Sequence, residues 1–161
     1  MVHSPIDRKL IKQILSSAKT IVMVGVSSAK KEIPSSVVRR PSVIVMQYLL
    51  EFGYQVIPVN PFSAGKKICG ETVIARLEDI STPVDIVNVF RPSKETPTIA
   101  EQSLKIGAKV LWLQFGIQNQ KAQEISEKGN IKYISNRCIK QEYQRLFLKM
   151  QPVFPVLSSD L

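Results

Sequence analysis

Short apolar segments alternate along this chain with longer stretches whose apolar residues recur at helical spacing, and that alternation limits the possible folds more than any other feature. Thr20-Ile-Val-Met-Val-Gly25, Tyr54-Gln-Val-Ile-Pro-Val59, Val84-Asp-Ile-Val-Asn-Val-Phe90 and Lys109-Val-Leu-Trp-Leu113 are apolar at nearly every position, not at every second one. A strand with two apolar faces belongs inside a parallel sheet covered by helices on both sides. The expected fold is therefore α/β, a doubly wound, mainly parallel, Rossmann-like sheet with helices on both faces, in a single domain.

The helical segments carry their own punctuation. Ser4 offers a cap, Pro5 a first-turn proline and Asp7 an acid, followed by a stripe of Ile6, Leu10, Ile14 and Leu15 that ends near Ser17. Pro41 opens a helix through Phe52, which Gly53 stops. Ser93 or Thr96 caps a helix that ends at Gly107, and Asn119 caps one that ends at Gly129. A short strand is expected over 131–134, then a last helix with Ile139, Tyr143, Leu146, Phe147 and Met150 on one face. Between Pro61 and Pro83 the chain reads as a loop with short elements, including a helical turn over 76–80. These boundaries divide the chain into an N-terminal helix over 1–17, the doubly wound domain over 18–150 and a loose tail over 151–161.

The chain has 161 residues, with 22 basic against 13 acidic side chains and a formal charge of +9, so an anionic partner is expected. Two cysteines, Cys69 and Cys138, are too few for a disulfide framework, and His3 is the only histidine; neither a zinc site nor a Ser-His-Asp set is expected. The first apolar stretch follows Asp7, Arg8, Lys9 and Lys12 in a helical pattern, so no signal peptide is expected. Gln47 and Glu51 interrupt the longest apolar region, so no membrane span is expected, and the expected location is the cytoplasm.

In an open parallel sheet, ligands bind beyond the carboxyl ends of the strands, where the strand order reverses. The first strand runs into Gly25, Val26, Ser27 and Ser28, and the basic residues Lys30, Lys31, Arg39 and Arg40 precede the helix that begins Pro41-Ser42. Gly25 lets the backbone approach a phosphate, the serines supply donors, and the helix start adds N–H groups and a positive dipole end. The second strand ends in Val59-Asn60-Pro61, with Lys66 and Lys67 nearby. No carboxylate stands where a NAD site places one for the ribose 2′-hydroxyl. Those features point to a nucleotide with an extra ribose phosphate, a group of charge about −1.5 to −2. Arg91 follows the third strand, and Gln114 and Gly116 the fourth.

These segments resemble a known family. Val24-Gly25-Val26-Ser27, Arg40-Pro41-Ser42, the run from Tyr54 to Pro61, Gly65 with Gly70, the run from Asp85 to Arg91 and that from Gly107 to Gly116 follow the order and spacing of the CoA-binding family. Its members are stand-alone Rossmann domains related to the CoA-binding domain of succinyl-CoA synthetase α subunits. The run from Asn136 to Glu142 is similar to the family's Asp-Arg-Cys-x-x-x-Glu, and the likeness extends over about 18–147. It implies that 18–150 is a CoA-binding Rossmann-like domain whose ligand is coenzyme A or an acyl-CoA. Gly25, Val26, Ser27, Ser28 and the start of the helix at Pro41 and Ser42 would take the diphosphate, supported by Arg40. Val59, Asn60, Pro61 and Lys66 would line the adenosine and its 3′-phosphate, with Phe90 and Arg91 opposite. Gln114 and Gly116 would approach the pantetheine arm. Two departures are a longer loop from Ser27 to Arg40, and Asn88 and Asn136 where the family often has Asp.

A ligase of the succinyl-CoA synthetase kind needs a phosphorylatable histidine inside the domain, and His3 lies outside it. The expected activity is CoA or acyl-CoA binding without autonomous catalysis. An NADP-dependent oxidoreductase shares the missing acid but lacks Gly-x-Gly-x-x-Gly. Nucleic-acid binding through the net charge is a third reading, disfavoured because the basic residues gather in loops and the aromatics in or beside strands. A homo-oligomer or a protein partner is left open, as is exchange of Cys69 or Cys138 with the CoA thiol.

Overall fold

The computed structural model describes residues 5–27 and 41–149. Ser4, Ser28, Lys30, Lys31, Arg39, Arg40, Met150 and the tail over 151–161 lie outside the described residues. Helix α1 spans Pro5–Ser17 and leads into β1, Thr20–Val24, all five of whose residues are buried. Helix α2, Pro41–Glu51, precedes β2, Gln55–Val59. A 3₁₀ turn at Pro61–Ser63 comes next, then a small hairpin of β3, Lys67–Ile68, and β4, Glu71–Thr72, and a second 3₁₀ turn at Leu77–Asp79. Strand β5 is Ile86–Val89, α3 is Thr96–Lys105 and β6 is Val110–Leu113. Helix α4, Gln120–Lys128, β7, Lys132–Ile134, and α5, Ile139–Phe147, complete the order.

The five-stranded sheet runs β2-β1-β5-β6-β7 with every pairing parallel. Both faces are apolar because both are covered. Ile21, Met23, Ile86, Val110, Trp112 and Ile134 pack with residues of α1, α2 and α5 in one layer. Val22, Val24, Val87, Val89, Leu111 and Leu113 pack with α3, α4 and the turn at Leu77 in the other. The period-two alternation of strand side chains thus feeds two cores, so each strand reads as a continuous apolar run. The order reverses at β1, whose neighbours are β2 on one side and β5 on the other, which makes the carboxyl ends of these strands the switch point. Among the described residues no helix is long and apolar enough to cross a membrane.

Local details depart from the sequence expectation in three places. Neither of the two caps offered for α3 caps it: the Thr96 hydroxyl donates back to the Ser93 carbonyl at 2.7 Å, and a 3₁₀ turn at Ser93–Glu95 feeds the helix. Strand β5 starts at Ile86, because the Asp85 carboxylate is spent on the N–H groups of Lys19 and Thr20. The loop after Pro61 contains the hairpin, whose connection at Cys69 and Gly70 has both residues at positive φ. Asn119 does cap α4, accepting from the Ala122 N–H at 2.9 Å.

Candidate functional site

The carboxyl ends of β2, β1 and β5 are tied together before any ligand is considered. The Gly25 N–H donates to the Val59 carbonyl at 2.9 Å, and the Phe90 N–H to the Val24 carbonyl at 2.9 Å. Gly25 adopts φ +95, and a Cβ added there would lie 2.8 Å from Cδ of Arg91. The Arg91 stem therefore lies directly against the turn, and glycine is needed both for the backbone angle and for the close approach. Asn60 holds the next connection: its Nδ2 donates to the Val26 carbonyl at 2.8 Å and its Oδ1 accepts from the Phe62 N–H at 2.9 Å. The Ser42 hydroxyl, in the first turn of α2, accepts from the Ser27 N–H at 3.2 Å. The turn after β1, the turn after β2 and the start of α2 thus form one hydrogen-bonded rim.

A cavity of about 590 Å³ opens beside this rim. Val24, Val59, Leu77 and Ile99 give it an apolar floor, and Gly25, Asn60, Pro61 and Arg91 belong to its lining. Arg76, Lys94 and Glu95 supply its charged groups, while Thr98 and Gln102 present the polar face of α3. Phe62 stands at its edge, 85% exposed. Arg91 donates through Nε and a terminal nitrogen to the two oxygens of Glu95, at 2.9 and 2.8 Å. That paired bond holds the Glu95 carboxyl below its ordinary pKa and raises that of Arg91. Arg76 contacts Asp79 at 3.3 Å. The arrangement suits a flat apolar ring on the floor with anionic groups at the mouth.

Of the residues singled out in the sequence, Gly25, Val59, Asn60, Pro61 and Arg91 come together in this cavity. Val26 is buried in the core, and Ser27 and Ser42 join the rim through their mutual bond. Pro41 is exposed at the start of α2. Lys66 is exposed beside the hairpin and is not part of the lining. Phe90 packs on the opposite layer. Gln114 is buried, and its Oε1 accepts from Asn88 Nδ2 at 3.2 Å and from the Ile139 N–H at 3.1 Å, a bracing role for the start of α5. The Gly116 N–H donates to Asn136 Oδ1 at 2.7 Å.

Arg76, Lys94, Glu95, Thr98 and Gln102 are the polar lining residues that the sequence reading missed, along with apolar ones such as Leu77 and Ile99. The pair Arg91 and Glu95, four apart just after a strand, was the one local signal. Arg76 reaches the cavity only because Ile74 bridges to Val59 in parallel, a contact that no local pattern announces. Among the described residues no group of three His, Cys, Asp or Glu side chains could hold a metal.

The comparisons with known proteins bear on the fold and the family. A Bacillus subtilis protein, YneT, is 38% identical over 131 residues, which cover 81% of this chain and 89% of that protein. The cell-free ID.343 structure from Thermus thermophilus is 35% identical with a TM-score of 0.76, covering 87% of this chain and 98% of its own. A hypothetical protein from Pyrococcus horikoshii OT3 is also 35% identical, with a TM-score of 0.78 over 91% of this chain and 98% of its own. Dinucleotide-forming acetyl-coenzyme A synthetase 1 of Ca. Korarchaeum cryptofilum, at 18% identity and a TM-score of 0.56, shares the fold over 73% of this chain and 26% of its own. The model of the CoA binding domain matches residues 19–144, and the chain belongs to that family.

Proposed function

We propose that this chain binds coenzyme A or an acyl-CoA across the carboxyl ends of β2, β1 and β5, and that it performs no chemistry on its own. The observation that carries the reading is the cavity at the switch point, which joins Gly25, Asn60 and Arg91 around an apolar floor with cations at its mouth. In this reading the adenine ring lies on Val24, Val59, Leu77 and Ile99, with Phe62 closing over it. Arg76 and Lys94 take the ribose phosphate. The diphosphate lies along the Gly25 turn, where Arg91 is positioned to turn from Glu95 to a phosphate oxygen. Charge-assisted hydrogen bonds of this kind contribute about 1.5–3 kcal/mol each when well formed.

The absence of autonomous catalysis is inferred from the side chains in reach. Among the described residues the cavity lining has no histidine or cysteine, and its one carboxylate, Glu95, is engaged by Arg91. The proposed setting is the cytoplasm, with CoA as the small-molecule partner.

Calorimetric titration with CoA and with dephospho-CoA tests the proposal. CoA is expected to bind at least tenfold more tightly, since one charge-assisted bond to the ribose phosphate suffices for that factor. Equal affinity would remove the argument from the ribose phosphate, and failure of both to bind, with NADPH binding instead, would overturn the reading.

A further inference from the structure

Most of the polar groups around the switch-point cavity are already engaged. Asn60 bonds to the Val26 carbonyl and the Phe62 N–H, Arg91 and Glu95 hold each other, and Arg76 contacts Asp79. Gln102 differs. It is half-buried and lines the cavity, yet among the described residues its carboxamide makes no hydrogen bond. Among the described lining residues it alone offers a donor and an acceptor side by side in one plane and uses neither.

Its place on α3 directs it to the floor. Ile99, a floor residue, lies three positions before it and Thr98 four, so the three share one face of the helix. The Cα–Cβ bond of a helical residue tilts toward the helix N-terminus, so the Gln102 side chain covers the turn of Thr98 and Ile99. Gln102 comes six residues after Thr96, the first residue of α3, which is about 9 Å along the axis. The Arg91–Glu95 pair precedes that start. The carboxamide is therefore displaced from the phosphate end of the cavity toward the part floored by Ile99, with room for a ribose between.

We propose that Gln102 pairs with the amino edge of the adenine ring and is the residue by which this site selects its base. The inference rests on the CoA reading above. An apolar floor accepts any flat ring, whereas a carboxamide facing the edge of the ring requires a donor and an acceptor next to each other. Adenine carries that pair, an amino group beside a ring nitrogen, and a glutamine side chain matches it with two hydrogen bonds. A ring lying flat on Val24, Val59, Leu77 and Ile99 turns its edge, not its face, to the next turn of α3.

The test is a calorimetric comparison of CoA with its etheno derivative, in which a two-carbon bridge ties the adenine amino nitrogen to the neighbouring ring nitrogen and removes the donor. CoA is expected to bind about tenfold more tightly, the effect of two neutral hydrogen bonds. Gln102→Leu, a change of similar volume that suits a helix, should bring the ratio to about one by weakening CoA. Gln102→Glu keeps the shape of the side chain but lacks the donor, so it should weaken CoA about as much. A wild-type ratio near one, while CoA still binds, would overturn this inference and leave the CoA reading standing. A tenfold ratio that persists in Gln102→Leu would also overturn it, because the bridge is then rejected by shape alone. CoA binding unchanged in Gln102→Glu would do the same. Failure of the wild type to bind CoA at all would overturn the CoA reading, and this inference with it.

Discussion

Replacing Gly25 with alanine probes the turn on which the site is built. The backbone there has φ +95, and holding a residue with a side chain in such a region costs about 1–3 kcal/mol. The new Cβ would also stand 2.8 Å from Cδ and 3.2 Å from Cγ of Arg91. The Arg91 stem must move, which breaks its paired bonds to Glu95. Both partners are more than a third exposed, so that loss adds no more than about 1 kcal/mol. The sum is about 1–4 kcal/mol, or a fall in melting temperature of about 2–16 °C for a chain of this size. Thermal unfolding followed by circular dichroism, with and without CoA, reads both parts. CoA at a hundred times its Kd should stabilise the wild type by about 2.7 kcal/mol, and the variant should lose most of that gain. Adding Arg91→Ala should recover the steric part and leave the backbone part. Melting of Gly25→Ala within about 1 °C of wild type would refute the reasoning.

Three further outcomes are expected. Asn60→Ala removes the bond that joins the turn after β2 to the Val26 carbonyl and the bond that caps the Phe62 N–H, so chemical denaturation should show a loss of about 1–3 kcal/mol together with weaker CoA binding. Glu95→Gln frees Arg91 for phosphate and should tighten CoA about two- to fivefold by calorimetry, an effect that vanishes in an Arg91→Met background; weaker binding would mean that Glu95 contacts the ligand. Burial pushes the Asp85 carboxyl up, but the N–H groups of Thr20 and Lys19 and the Lys109 ammonium outweigh it and hold the pKa below the ordinary value. Its contribution is therefore complete above the unfolded value, near 3.9, and fades as pH falls through the lower folded value. Asp85→Asn should lower stability at neutral pH and flatten the acid limb of a stability–pH curve.

The layered sheet was legible because β1 and β5 are buried on both faces, which leaves an uninterrupted apolar run in the sequence. Asn88 breaks that run yet is fully buried, donating through Nδ2 to the Trp112 carbonyl and to Gln114, while its Oδ1 has no hydrogen-bond partner among the described residues. The hairpin of β3 and β4 was not legible. A two-residue turn with both φ values positive is usually announced by Asn-Gly or Asp-Gly, and here Cys69-Gly70 takes that place. For the site, the residues just past the end of each strand were enough to find Gly25, Asn60 and Arg91, because the carboxyl ends of neighbouring parallel strands must share one edge. Position after a strand could not separate residues that face the cavity from those that brace it. Gln114 comes directly after its strand, but the need of the Ile139 N–H for an acceptor turns it inward. Arg76 and Gln102 enter from a bridge and a helix face, and tertiary packing alone decides both.

The most direct test of the central claim is an amide-resolved NMR titration of the protein with CoA. Binding at the switch point should move the signals of Gly25, Asn60, Phe62, Arg91 and Lys94 while leaving those at the opposite edge, such as Gly53 and Asp85, in place. Shifts confined to that opposite edge, or none at a CoA concentration that saturates calorimetry, would contradict it.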